Sequence, residues 1–279
     1  MDWLKSMNDA IAYMEENLTG SLSPEDVAAK VYLSGGHFQR AFAVLTGMTV
    51  GEYIRNRRLA LAGQELAMHG AKVVDVALKY GYETPESFAK AFYRFHGTTP
   101  SQVKLYGAAF KSFNRLTIKI TLEGGTAMDY KIIKKDAFTT AVKRRLFNME
   151  TNTKEIPLFW DEYMRDGSNE KVCGMYGICE HMQENGIDFY YDIGGDWPQN
   201  KPVPEGFELL TIPAATWAVF RCVGAMPDAI QKLWQTIYSE WAPQADYELV
   251  PGYEIELYTE GNPQSADYVS EIWLPVKAK

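Results

Sequence analysis

The sequence has few of the features that mark secreted or membrane proteins. It holds no run of about eighteen apolar residues and does not open with a basic segment before an apolar stretch, so we predict neither a membrane span nor a secretory signal. Cysteine is scarce, with three residues in 279. An odd number of thiols fits a reducing compartment. We therefore expect a cytoplasmic protein without a membrane partner.

Motifs of the common catalytic chemistries are missing as well. We find no phosphate-binding loop, no nucleophile elbow and no paired metal site. Cys173, Cys179 and His181 share the alternation of a strand, but their spacing matches no zinc motif. Small buried side chains explain these residues better than metal ligation does. We accordingly predict no metal, no cofactor and no enzymatic activity.

Basic residues are fewer than acidic ones in the whole chain, and the net charge differs between its first and second parts. The chain carries 28 Lys and Arg residues against 36 Asp and Glu residues, a net charge of -8. Residues 1–115 hold 13 basic and 11 acidic residues, whereas residues 116–279 hold 15 and 25. The weakly basic first part remains compatible with nucleic-acid binding, with an affinity that falls steeply as salt rises.

The most informative feature that is present is an internal repeat, offset by about 50 residues. Each copy has apolar residues at i, i+3, i+4 and i+7, the spacing of one face of an amphipathic helix. They are Phe38, Ala41, Phe42 and Leu45 in the first copy and Phe88, Ala91, Phe92 and Phe95 in the second. Ser34 and Thr84 are placed to cap these helices. Gly47 and Gly97 are placed to end them. We predict a duplicated helix-turn-helix, in preference to a helical bundle whose repeat has no function.

One long helix is predicted between the copies. Residues 50–69 contain no proline, keep a helical period and are followed by Gly70. Such a helix is roughly 30 Å long, close to the ~34 Å between successive major-groove faces of B-DNA. We expect one chain to place two recognition helices in neighbouring grooves of double-stranded DNA without dimerising.

Both copies carry a family resemblance. The second reads Gly81-Tyr82-Glu83-Thr84-Pro85-Glu86-Ser87-Phe88, and the first reads Phe38-Gln39-Arg40-Ala41-Phe42. These runs resemble the AraC/XylS type of transcription regulator, which implies DNA contacts from polar positions of the two helices. Those positions are Gly36, His37, Gln39 and Arg40 in the first helix and Pro85, Glu86, Ser87, Lys90 and Arg94 in the second. By chemistry, Arg40 suits guanine and Gln39 suits adenine, whereas Glu86 suits a cytosine amino group.

The pattern changes after an all-α domain predicted at residues 1–106. A linker is expected at 107–126, with a short strand because Leu116 and Ile118 alternate with polar residues. This linker also holds Phe110 and Phe113, so we expect it to pack against a domain rather than to act as a free tether.

The last part, predicted as a domain at 127–279, mixes helices and strands. Helices are predicted at 156–165 and 227–241, and each is followed by two strands. Two β-α-β-β halves imply an α+β domain with pseudo-twofold symmetry. The groove between the halves is a natural ligand site.

Short runs in this domain carry a second resemblance. They include Tyr176-Gly177-Ile178, Phe189-Tyr190-Tyr191-Asp192, Glu256-Leu257-Tyr258 and Glu271-Ile272-Trp273. These runs are similar to the GyrI-like effector-binding domain, and the domain order is similar to that of the Rob type of regulator. The resemblance implies a ring-lined pocket whose glutamate, matched here by Glu256, faces an apolar or cationic organic effector.

The expected effector contacts are carboxylates and aromatic side chains. They are Glu256, Glu271, Trp160, Tyr176, Tyr191, Trp217, Trp234, Tyr258 and Trp273. Alternate residues of a strand share a face, so we expect Glu256 and Tyr258 to form one wall together with Glu271 and Trp273. Glu254 is expected to be solvated. For the tryptophans, plain core packing stays equally open.

Three functions remain open at this point. The favoured one is a one-component transcription regulator that binds double-stranded DNA, a small-molecule effector and RNA polymerase. The second is a hydrolase of reactive small molecules, as some GyrI-like proteins are, fused to a DNA-binding domain. The third is a DNA-binding protein whose second domain binds a protein partner.

Overall fold

A computed structural model describes residues 3–31, 35–69, 71–118, 128–182 and 188–279. Two compact units form within these residues. The helical unit contains the described residues of 4–31 and 48–118, and the sheet unit contains those of 35–47 and 128–279. The sheet unit thus includes one helix from the first part of the chain.

Seven helices form in the described residues up to 118. They are α1 (Trp3–Glu16), α2 (Pro24–Lys30), α3 (Gly35–Thr46), α4 (Val50–His69), α5 (Val73–Lys79), α6 (Pro85–His96) and α7 (Pro100–Tyr106). The long helix and both copies of the repeat, α2–α3 and α5–α6, are confirmed. Thr84 caps α6 by accepting from the N–H of Ser87. Gly47 and Gly97 have φ of 71° and 78°, which lets the chain leave α3 and α6 in the same way.

The core of the helical unit is built from the apolar faces of α4, α5, α6 and α7. Its buried residues are Leu59, Ala62, Leu66, Val76, Ala77, Tyr80, Phe88, Phe92 and Val103. Phe88 and Phe92 are fully buried, as the apolar spacing of the second copy predicts. The buried His96 ends this face, and its Nε2 lies 2.9 Å from the carbonyl oxygen of Leu59.

The segment 107–118 packs on the helical unit, as its apolar content predicts. Phe110 packs against the core just described. The N–H of Lys111 donates to Nδ1 of His96 over 3.0 Å. These contacts fix the segment to α6.

The short strand expected in this segment does not form over residues 116–118, whose backbone is irregular. The N–H of Leu116 donates to the hydroxyl of Tyr53 over 3.2 Å, so a side chain takes the place of a neighbouring strand. The rest of the expected strand falls in residues 119–127, outside the described chain.

Nine strands form in the described residues of the sheet unit. They are β1 (Tyr130–Lys135), β2 (Phe138–Asn148), β3 (Tyr176–Met182), β4 (Asp188–Asp196), β5 (Glu208–Ile212), β6 (Ala215–Val223), β7 (Tyr247–Leu249), β8 (Glu254–Tyr258) and β9 (Val269–Ala278). Eight pair in the order β1-β6-β9-β8-β3-β4-β2-β5, and β7 pairs with the end of β9. The order is symmetric about the β8–β3 pair.

Helices join the strands in each half. They are α8 (Asn152–Arg165), α9 (Ser168–Lys171), α10 (Asp228–Thr236) and α11 (Ala242–Gln244), with a π-helical turn at Ile237–Trp241 after α10. The series β2-α8-β3-β4 and β6-α10-β8-β9 confirm the two predicted β-α-β-β halves. Strands β1 and β5 add one strand to each half, because β1 pairs with β6 and β5 pairs with β2.

The pairing register assigns every strand residue to one of two sheet faces, since residues paired across strands point to the same side. Gly177 pairs with Glu256, and Cys179 pairs with Glu254. We call the side that carries these four residues the cage face. Ile255, between the two glutamates, points to the opposite face.

Candidate functional site

The central feature of the cage face is a carboxylate among four aromatic rings. Glu256 accepts hydrogen bonds from Trp234 Nε1 at 2.8 Å, the Tyr258 hydroxyl at 2.9 Å and the Tyr191 hydroxyl at 3.2 Å. Trp160 Nε1 donates to the Tyr191 hydroxyl over 2.9 Å, and the Trp160 and Tyr258 rings meet edge-on. We call these five residues the Glu256 cage.

The duplicated fold explains how the cage is assembled. Trp160 comes from α8 and Trp234 from α10, the equivalent helices of the two halves. Tyr258 stands two residues after Glu256 and therefore shares its face. Gly177 leaves the space beneath them, because a Cβ at this position would lie 2.0 Å from the Tyr191 hydroxyl. The cage thus depends on a glycine as well as on its rings.

Electrostatics keep the two phenols of the cage protonated. Burial, followed by the neighbouring carboxylate of Glu256, raises the pKa of Tyr191 and of Tyr258 well above the ordinary value. Both hydroxyl protons therefore stay available for donation to Glu256. A carboxylate held by three donors and walled by rings can attract an organic cation through its charge and through the negative faces of the rings.

Four of the expected effector residues do not join the cage. Glu271 pairs with Leu257, and Trp273 pairs with Ile255, so both point to the opposite face. The expectation that they share a wall with Glu256 is wrong, because the register turns β9 residues of that parity away. Trp273 Nε1 donates to Glu271 over 2.7 Å instead. Tyr176 and Trp217 lie in the same opposite-face core as Trp273.

Helix α3 contributes a cation beside the cage. Arg40 forms an ion pair with Glu254, and its guanidinium lies 5.4 Å from the centre of the Trp234 ring. Burial by itself would lower the pKa of Arg40, but Cys179, Glu254 and Tyr238 raise it beyond the ordinary value. The guanidinium therefore stays charged. Glu254 is buried, with 6% of its surface exposed, so the expectation that it is solvated is wrong.

Other polar positions of α3 are also removed from solvent. Gln39 has 2% of its surface exposed, and its amide nitrogen finds no hydrogen-bond partner among the described residues. An unsatisfied buried group of this kind costs about 1–3 kcal/mol. Gly36 and His37 belong to α3, but their side chains lie outside what the structure describes. Of the predicted DNA-reading positions, Gln39 is therefore buried and Arg40 is half-buried, with 20% of its side chain exposed.

Helix α6 differs from α3 because its predicted DNA contacts are mostly exposed to solvent. Four of its predicted DNA contacts are exposed, and Pro85 is half-buried in the first turn. The exposed four are Glu86, Ser87, Lys90 and Arg94. The other side of α6 is buried in the core of the helical unit. The second recognition helix thus offers its polar face to solvent.

The cysteines differ from one another in burial. Cys179 is buried, as expected, and Cys222 is buried too, but Cys173 is exposed, so the expectation fails for that residue. The side chain of His181 lies outside the described residues. Across the part of the chain that the structure describes, no group of three or more His, Cys, Asp and Glu side chains is arranged to hold a metal ion.

Sequence reasoning missed several residues of this region. Cys179 and Tyr238 contact Arg40 electrostatically, and Gly177 makes room for the cage. Only Gly177 carried a visible signal, because a glycine within a strand often marks a place where another group approaches the backbone closely.

Among the described residues, the structure contains no helix with the length and hydropathy of a membrane span.

Family models match both parts of the chain. Residues 131–276, more than half of the chain, match the model for integron-associated effector-binding proteins, named Cass2, and residues 27–105 match a helix-turn-helix domain. Fold and site together define a DNA-binding helix-turn-helix protein with an effector-binding domain.

The named relatives AarP and SoxS agree with the helix-turn-helix match. The transcriptional activator AarP of Providencia stuartii is 36% identical over 114 residues, which cover 41% of this chain and 84% of AarP. The regulatory protein SoxS of Escherichia coli K12 is 36% identical over 104 residues, which cover 37% of this chain and 97% of SoxS. Among solved structures, SAV2435 bound to tetraphenylphosphonium is 21% identical, covering 54% of this chain and 94% of that one, with a TM-score of 0.49.

The chain belongs to the AraC-type helix-turn-helix transcription regulators and, through its second part, to the Cass2 family of GyrI-like effector-binding domains. Both resemblances found in the sequence are thereby confirmed.

Proposed function

We propose that the chain senses a small organic cation through the Glu256 cage and adjusts transcription accordingly. The observation that carries this proposal is the set of three donors and four rings around one carboxylate on the cage face. A cation gains from the carboxylate charge and from the ring faces at once, whereas a neutral ligand gains only from the apolar surface.

The DNA-binding half of the proposal relies on α6. Its exposed side chains Ser87, Lys90 and Arg94 are of types that contact bases and phosphates. We propose that α6 enters a major groove of duplex DNA and that the chain acts on RNA polymerase from there. The relatives AarP and SoxS are an activator and a regulatory protein, which supports regulation over turnover of the bound compound.

The experiment compares one cation with a neutral molecule of the same shape. Phenyltrimethylammonium and tert-butylbenzene are titrated into the full chain by calorimetry, with Glu256→Gln as the variant. The variant should weaken cation binding at least 10-fold and leave binding of the neutral compound nearly unchanged, because charge is removed while shape is kept.

Glu271→Gln is the matched control, since it removes the same charge from the opposite face. It should leave binding of both compounds unchanged. Equal losses for the two compounds in Glu256→Gln would contradict a cation site at Glu256. Chemical conversion of a bound compound would favour the hydrolase instead.

A further inference from the structure

The cage face already holds one organic cation, the guanidinium of Arg40. It lies over the ring of Trp234 at 5.4 Å and pairs with Glu254. The same Trp234 ring donates its N–H to Glu256 over 2.8 Å. Arg40 therefore uses the ring that forms part of the proposed effector site.

The contact involves the helix as well as one side chain. Ala43, one turn after Arg40, packs against the buried cluster that contains Phe147, Phe159 and Cys179. Helix α3 thus lies over the middle of the cage face, near the β3–β8 pair. A ligand that occupies the ring face of Trp234 meets both a like charge and the body of this helix.

We infer that Arg40 is an internal occupant of the cation site, so that α3 and a cationic effector exclude each other. The inference rests on the proposed function, since it requires the Glu256 cage to bind cations. Effector binding then releases Arg40 and Gln39, the two described side chains of the first recognition helix that the family resemblance assigns to base contacts. A guanidinium paired with Glu254 cannot contact a guanine at the same time.

Two features of α3 agree with this reversible role. The amide nitrogen of Gln39 is buried without a partner among the described residues, so the polar side of the helix is poorly satisfied in its present place. The charge of Arg40 can also be stabilised outside the cage face, by another anion or by another aromatic ring. A helix held by displaceable contacts is suited to competition by a small cation.

The test uses the full chain and phenyltrimethylammonium as the probe. Amide hydrogen exchange is followed in residues 38–46 of α3 and in β8. Saturation with the probe should speed exchange in α3 several-fold and slow it in β8. Slower or unchanged exchange in α3 would show that helix and cation bind together, which contradicts the inference.

Arg40→Met supplies an independent readout. Removal of the internal cation should raise the affinity for the probe about 10-fold if the occupied form makes up roughly nine-tenths of the free protein. Arg165→Met, which removes the same charge from an exposed position on α8, should leave the affinity unchanged. Far-UV circular dichroism checks that the variants remain folded, and the exchange measurement on the unmodified chain does not depend on them.

The outcomes separate this inference from the proposed function. If Glu256→Gln leaves probe binding unchanged, the cation site itself is wrong. If Glu256→Gln weakens binding while Arg40→Met and α3 exchange show no effect, the site stands and the competition is overturned. If Arg40→Met binds the probe more tightly and α3 exchange rises on binding, both hold.

Discussion

The two recognition helices share one sequence pattern but have opposite surroundings. In α6 the apolar face is buried in the helical unit and the predicted DNA contacts Glu86, Ser87, Lys90 and Arg94 are exposed. In α3 Gln39 is buried, and the half-buried Arg40 pairs with Glu254 in the sheet unit. The apolar spacing determines that each segment is a helix. What its polar face meets depends on the chemistry of that face.

The difference is explained by a few side chains. A guanidinium matches the carboxylate of Glu254 and the ring of Trp234. The position of Arg40 corresponds to Lys90 in α6, whose ammonium is more strongly hydrated and less suited to burial against a ring. The same fold position therefore favours a buried partner in one copy and solvent in the other.

The largest expected effect concerns the buried face of α6. Phe88→Ala should lower the free energy of unfolding of the helical unit by about 3–5 kcal/mol, because it opens a cavity at a fully buried ring. The equivalent change Phe38→Ala in α3 should instead destabilise the sheet unit, with which α3 is grouped. Amide hydrogen exchange, followed separately in the helical unit and in the sheet unit, measures the change in free energy of unfolding for each variant.

Tyr93→Ala is the control for that comparison, since Tyr93 lies on the exposed side of α6. It should change the free energy of unfolding by less than about 0.5 kcal/mol. If Phe38→Ala destabilised the helical unit alone, the grouping of α3 with the sheet unit would be contradicted.

The next effect concerns DNA binding by the two polar faces. Lys90→Ala should weaken binding to a selected duplex by about 1–3 kcal/mol with or without a cationic ligand. Arg40→Ala should weaken it by a similar amount only when phenyltrimethylammonium is present, because Arg40 is otherwise paired with Glu254. Fluorescence anisotropy with a labelled duplex measures these affinities.

Lys232→Ala removes the same charge from an exposed position of α10 and serves as the control. Its DNA affinity should equal that of the unmodified chain. Losses of equal size for Arg40→Ala with and without the cation would remove the proposed difference between α3 and α6.

A smaller effect is expected at the cap of α6. Thr84→Ala should cost about 1 kcal/mol of stability in the helical unit, since the N–H of Ser87 loses its acceptor. Thr84→Ser keeps a hydroxyl there and should restore most of the loss. Urea unfolding measures both variants, and an equally large loss in Thr84→Ser would point to packing rather than capping.

The smallest effect is a pH dependence at the last residue of α6, which the equivalent position of α3 lacks. His96 corresponds to Thr46 in α3, which does not titrate. Burial lowers the pKa of His96 below 6.5, so the folded protein binds fewer protons than the unfolded chain. Its stabilising contribution is complete above about pH 6.5 and declines as the pH falls below that value.

Nuclear magnetic resonance should therefore find a pKa for His96 below 6.5, and urea unfolding should show falling stability of the helical unit from pH 7 to 5.5. In His96→Gln this decline should be shallower. A pKa above 6.5 would mean that the ring gains a proton on folding, against its burial and against the Lys111 N–H that donates to Nδ1.

Local pattern alone predicts much of this molecule. The bounds of α4, the repeat, the glycine ends of α3 and α6 and the two β-α-β-β halves all follow from periods and caps. These features depend on residues close together in sequence. The family resemblance also singles out Glu256, which the structure surrounds with three hydrogen-bond donors, and its contact with an effector stays a prediction.

Features that depend on distant pairing could not be predicted. Alternation places Glu271 and Trp273 together, but only the register against β8 decides that they point away from Glu256. The ion pair of Arg40 with the buried Glu254 joins residues more than 200 positions apart, and the local pattern around neither residue predicts it. The exposure of the Cys173 side chain likewise depends on where its segment lies in the fold.

The most direct test of the account is a linked titration. Affinity of the full chain for phenyltrimethylammonium is measured with and without a duplex selected for specific binding. If the cation releases α3 for DNA, the duplex should raise cation affinity by the same factor by which the cation raises DNA affinity. Cation affinity that is unchanged by the duplex would contradict this coupling and would place any regulation after DNA binding.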